Sequence, residues 1–110
     1  MRNKKILHLT LTKKWFDMIL SGEKKEEYRE IKPYWEKRFI KNEWEIKTFY
    51  FKKIIFRNGY SKNAPQITVE CECIEIGKCK ADWSYGSIED HFVIKLGEIL
   101  ETKNIKTTTP

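Results

Sequence analysis

The octapeptide Gly22-Glu23-Lys24-Lys25-Glu26-Glu27-Tyr28-Arg29 follows a stretch of helical periodicity and reads as a strand entered from a helix end. A strand brings every second side chain to one face, so Glu27 and Arg29 are expected to point the same way, roughly 7 Å apart along the backbone. Lys24 has the wrong parity for a regular strand. It lies two residues after Gly22, however, where a helix-ending turn or a bulge can re-aim it, and the three side chains are then expected to converge. The residue types suit a binding or catalytic cluster. Lysine holds a phosphate or a polarised carbonyl as a point charge, glutamate accepts from an amino group or acts as a base, and arginine grips phosphate or carboxylate with two parallel donors. A salt-bridged strand surface without a ligand is the competing reading of the same charges.

Working outward, Ile6 to Thr10 alternates as a strand, with Leu7, Leu9 and Leu11 on one face and Ile6, His8 and Thr10 on the other. Thr12 is placed to cap a helix over residues 13–21, where Trp15, Phe16, Ile19 and Leu20 recur at helical spacing and Ser21-Gly22 forms the stop. Trp15 reads as core. After the octapeptide, Pro33 suits the first turn of a second short helix over Tyr34 to Ile40. Residues 41–48 show no period and are expected to form a loop. Phe49 to Phe56 is aromatic and β-branched, a strand ended by Arg57-Asn58-Gly59, and Ser61 to Pro65 keeps the backbone irregular before a long strand from Ile67 to Ile76. Lys78 to Asp90 reads as loop, Phe92 to Leu100 as the closing strand, and residues 103–110 as a frayed tail. About five strands with two short helices predict a mainly β, compact mixed barrel in one domain over residues 1–102.

The chain of 110 residues has room for one modest core. With 40% hydrophobic and 35% charged residues it is globular in composition, and no apolar run approaches the roughly 18 residues that span a bilayer. The basic start, Met1 to Lys5, leads into a strand-like run rather than a signal-peptide core, so a cytoplasmic protein is expected. Cys71 and Cys73 stand two apart in a strand and would face one side, which disfavours a disulfide between them. With Cys79, His8 and His91 they do not make a zinc set, so buried thiols, no metal and no cofactor are expected. Residues 1–66 carry 17 Lys/Arg against 8 Asp/Glu, whereas residues 67–110 carry 5 against 8. That asymmetry fits either a polyanion-binding face or a solvated lysine-rich surface. Interleaved Trp15, Tyr28, Tyr34, Trp35 and Tyr60 favour the former, because bases stack on such rings.

The octapeptide also resembles, at all four defined positions, the Gly-x-Lys-x-x-Glu-x-Arg signature of the activating signal cointegrator homology (ASCH) domain. Length and element order are similar as well: an opening strand with Leu7-His8-Leu9, a short helix with Trp15-Phe16, the signature, an Arg57-Asn58-Gly59-Tyr60 turn, and a closing strand Phe92 to Leu96. The likeness covers residues 4–100 and is to the small stand-alone bacterial or phage members. It implies a PUA-like (pseudouridine synthase and archaeosine transglycosylase) β-barrel that binds RNA or a nucleoside in a basic cleft. The implied ligand-binding residues are Lys24, Glu27 and Arg29, with His8 from the first strand and Arg57, Asn58 and Tyr60 from the turn. In that turn Asn58-Gly59 has its own backbone reason to be there, so Arg57 and Tyr60 are the better ligand contacts. Trp83 and Tyr85 suit either a stacking lid or aromatics docked on the barrel end. One branch of the family is a small amidohydrolase acting on N(4)-acetylcytidine through a lysine, a threonine three residues later and a glutamate. Lys24 matches the lysine, but Glu27 occupies the threonine position, so a binding module is the first reading. A hydrolase acting on a modified nucleoside or on RNA, with Lys24 and Glu27 as catalytic candidates, is the alternative.

Overall fold

The structure is a computed structural model that describes residues 6–43 and 45–105; the basic start of the chain, Trp44 and residues 106–110 of the expected tail lie outside the described residues. Strand β1 (Ile6–Leu11), helix α1 (Lys13–Leu20), strand β2 (Glu26–Glu30), helix α2 (Pro33–Phe39), the short strands β3 (Ile40–Asn42) and β4 (Glu45–Ile46), and the longer strands β5 (Lys53–Asn58), β6 (Gln66–Lys78) and β7 (Asp90–Lys103) follow in that order. Five of them form one sheet in the order β1-β5-β6-β7-β2, curled into a half-barrel. The β1–β5 pair is parallel and the other three are antiparallel, so the sheet is mixed. None of the described helices is long and apolar enough to cross a membrane.

Registered residues on neighbouring strands share a face, and this alternation builds the core. Leu7 and Leu9 sit opposite Ile54 and Phe56. Those pair with Val69 and Ile67, while Ile74 faces Ile94, and all eight are buried. Trp15, Phe16 and Ile19 of α1 and Phe39 of α2 close the concave side. Each fully buried side chain of this size contributes about 1.5–3 kcal/mol.

Pairing between β6 and β7 slips three times between Thr68 and Cys73. Such bulges raise local twist, which curls the sheet. Close approach helps: a Cβ on Gly97 would stand 3.0 Å from Glu70 Cβ. The bulge between Cys71 and Cys73 overturns their expected common facing. Cys71 packs against the core, whereas Cys73 pairs with Lys95 on the outer face. All three thiols are free and only partly buried, and burial pushes the Cys71 thiol up to about 11.

Several details differ from expectation, among them β6, which runs on to Lys78 rather than ending at Ile76. Thr12 has the extended backbone of a cap, yet only its carbonyl is used, accepting from Phe16 N at 3.0 Å, with no side-chain cap. Residues 41–48 are not wholly loop, since Ile40–Ile46 and Asn42–Glu45 pair as the β3–β4 hairpin. Strand β5 starts at Lys53 rather than Phe49, because Thr48 to Tyr50 form a turn and Phe51 serves α2, packing edge-on against Phe39 at 6.1 Å. Strand β7 runs through Lys103, one residue past the expected domain end, and Asn104 then donates to Ala64 O.

Candidate functional site

The sheet curls far enough that its two edge strands, β1 and β2, face each other across an open seam. Arg29 crosses it, donating from Nη2 to Thr10 O at 3.3 Å. Registry places Glu27 beside Ile94 and Arg29 beside Phe92, so both charged side chains lie on the core face of β2. Glu26 and Tyr28 take the outer face, where Tyr28 Oη donates to Glu26 Oε1 at 2.7 Å and accepts from Lys80 N at 3.0 Å.

The expected convergence is present. Gly22 ends α1 at φ +86°, a left-handed conformation that glycine adopts without a Cβ penalty. Gly22 N donates to Ile19 O and Lys24 N to Met18 O, folding residues 23–25 back under the helix. Lys24 is thereby buried, with Nζ donating to Glu26 O and Glu27 Oε1 at 2.5 Å each. Its ammonium lies 5.3 Å from the Trp15 ring centre and 5.1 Å from that of Tyr28. Glu27 Oε2 accepts from Arg29 Nη1, so one buried carboxylate serves two cations and the cluster carries a net positive charge. The Arg29 guanidinium rests over Trp35 at 5.2 Å. Burial lowers the Lys24 pKa, Glu27 opposes that shift, and the Arg29 charge adds to it.

A cleft of about 590 Å³ occupies the seam, lined by His8, Thr10 and Thr12 on the β1 side, Glu27 and Arg29 on the β2 side, and Trp15, Tyr34, Trp35 and Tyr60 as walls. Of the expected site residues it gathers His8, Glu27, Arg29 and Tyr60. Lys24 lies beneath the cleft, not on its surface. Arg57 turns away and pins its own loop, donating to Ser61 O at 2.6 Å. Asn58 lines a separate concavity with Lys13, Asp17 and Asn104. The basic cleft that was expected is aromatic instead, with Arg29 as the one Lys/Arg side chain among its lining residues. Trp15, Tyr34 and Trp35, read from the sequence as interleaved aromatics on which bases stack though not as site residues, also line the cleft. Tyr85 docks on Trp15 at 5.1 Å with Lys14 over both rings, whereas Trp83 lines an outer-face groove with Lys25, Lys95 and Glu70. Among the described residues no group of three or more His, Cys, Asp or Glu side chains is placed to hold a metal ion.

Fold and site together define a mainly β protein with a curled five-stranded sheet and an aromatic cleft in its seam, floored by a Lys-Glu-Arg cluster. No family model, curated protein or solved structure matches the chain.

Proposed function

We propose that the seam cleft takes a single planar nucleobase and that the chain is an RNA- or nucleotide-binding module of the ASCH, PUA-like kind. The observation that carries this reading is the pairing of four aromatic walls with a carboxylate-guanidinium pair on the floor. A base entering the cleft stacks among the Tyr34, Trp35 and Tyr60 rings and presents its hydrogen-bonding edge to Glu27, Arg29 and the free edge of β1. The signature residues support the same reading, since Lys24, Glu27 and Arg29 form one connected cluster.

Titration of nucleosides, mononucleotides and short single-stranded RNAs, followed by tryptophan fluorescence, tests it. Binding is expected to quench emission, and Trp35→Ala is expected to cost about 1–3 kcal/mol, the range for stacking one base. A protein that responds to none of these ligands at low salt refutes the reading.

One observation favours the hydrolase alternative: the hydroxyl-bearing residues Thr10 and Thr12 line the same cleft, above a lysine whose pKa burial has lowered. Against it, Lys24 Nζ is held by Glu26 O and Glu27 and is screened from the cleft. A carboxylate in the place of an attacking hydroxyl would form an anhydride and repel the developing oxyanion. Release of cytidine from N(4)-acetylcytidine is therefore expected to be weak or absent. Robust turnover lost in Lys24→Ala would replace the binding module with the hydrolase.

A further inference from the structure

The excursion between β2 and β5 carries a surface that the cleft does not use. Residues 32–53 hold seven Lys/Arg (Lys32, Lys37, Arg38, Lys41, Lys47, Lys52, Lys53) against Glu36, Glu43 and Glu45. Helix α2 sorts them by face. Trp35 and Phe39, four apart, stack at 5.6 Å and turn inward. Tyr34, Lys37 and Arg38 recur at the i, i+3, i+4 spacing of one helix face, and all are exposed. Lys41, just past the helix, extends that stripe. It begins at a wall of the cleft, because Tyr34 lines it, and Arg38 Nη2 donates to Tyr34 Oη at 2.8 Å.

The stripe leads into a second concavity of about 880 Å³, lined by Lys41, Glu45, Ile46, Lys47, Thr48, Phe49 and Tyr50. Phe49 is 70% exposed there, an unusual position for a phenylalanine with a buried neighbour, Phe51, two residues on. Lys47 Nζ lies over the Tyr50 ring at 5.0 Å. Among the described residues, the ion pairs involve none of Lys37, Lys41 and Lys47, whereas Glu45 is engaged by Asn42 Nδ2. Unpaired cations beside an exposed ring are the two components of a single-strand binding groove: charges that track phosphates and a face on which a base stacks.

We infer that the stripe Tyr34–Lys37–Lys41 and the Phe49 groove form a second nucleotide-binding site, and that the ligand is a single-stranded RNA of several nucleotides rather than a free nucleoside. One base enters the seam cleft, the following phosphates pass over Lys37, Lys41 and Lys47, and a later base stacks on Phe49. This inference rests on the nucleobase reading of the cleft and goes past it to the ligand class. At about 1.5 Å per residue, Tyr34 to Lys41 spans on the order of 10 Å, so the two base positions are not adjacent nucleotides.

The test compares mononucleotides with oligoribonucleotides of increasing length across a salt series, using the wild type, Lys37→Gln/Lys41→Gln/Lys47→Gln, and Phe49→Ala. Arg38 is kept because it holds Tyr34. Affinity is expected to rise with length and then level off. The triple variant is expected to flatten the log-log salt slope by about 2, at roughly 0.7 per lost phosphate contact, and to leave mononucleotide binding unchanged. Phe49→Ala is expected to weaken only the longer oligomers, on the order of tenfold. Oligomers that bind no tighter than mononucleotides, or a triple variant with an unchanged slope, overturn the inference. So does equal binding of polyglutamate, which would make the groove an acidic-peptide site. A failure of the cleft reading looks different: oligomers still bind in a Lys37-, Lys41- and Lys47-dependent way while mononucleotides do not bind.

Discussion

Glu27 is the side chain on which the cluster turns, because its two oxygens are divided between Lys24 and Arg29. Removing it strands a lysine that is 1% exposed, and a buried charge left without its partner typically costs about 3–5 kcal/mol. Removing Lys24 instead leaves Glu27 paired with Arg29. Urea denaturation should therefore rank Glu27→Leu as far more destabilising than Lys24→Met, and Lys24→Met/Glu27→Leu should recover part of the loss. Equal costs for the two single variants would show that Arg29 alone does not hold the carboxylate. The Lys24-Glu27-Arg29 convergence was legible in the sequence from spacing and from one glycine. Of the aromatic walls, Tyr60 was legible as a residue flanking the turn, and Trp15, Tyr34 and Trp35 only as interleaved aromatics, because helical positions of that kind ordinarily serve core packing. Only the meeting of the two sheet edges shows that these three side chains also line the seam cleft.

At the level of elements, the turn after α1 sets up the site. Gly22 holds φ +86°, and a substituted Cβ has open space there, so the cost of Gly22→Ala comes from backbone conformation alone. It is expected to destabilise by about 1–2 kcal/mol, measured as a shift in urea midpoint, and to weaken ligand binding through the displaced Lys24. The strand alternation of β1 and the helical spacing of α1 could be read directly, since each element buries one face against the same core. The β3–β4 hairpin could not, for its pairing spans few residues and its sequence has no period. Tyr50 and Phe51 misled in another way: β-rich composition there reflects packing around Phe39, a tertiary demand. The separate facings of Cys71 and Cys73 come from a register slip that no local pattern records.

Over the whole molecule, several buried protons bear on alkaline stability. The Cys71 thiol is raised from 9.0 to about 11 and the Tyr28 phenol is also pushed up, in both cases mainly by burial. The folded state therefore holds these protons more tightly than the unfolded chain. The thiol's contribution is complete below about pH 9 and is lost as pH rises toward about 11, whereas the phenol's is complete up to its unfolded value of 10.0 and outlasts the thiol's. Lys24 acts in the opposite sense, since its lowered pKa makes stability rise with pH below its unfolded value of 10.5. The difference between wild type and Cys71→Val isolates the thiol: the urea midpoint should fall less steeply in the variant between about pH 9 and about pH 11. Parallel curves would remove the thiol as a contributor. The sheet order has a further consequence, for the timing of assembly. Strands β1 and β2 are made first, yet they are the two outermost, and β2 is held by β7, with Glu30 opposite His91. A chain still emerging from the ribosome thus owns both lips of the cleft long before it owns the strand that sets them apart. Binding competence arrives only once residues 91–95 of β7 are made, and a chain that stops before them is left with two unguarded edges and no site.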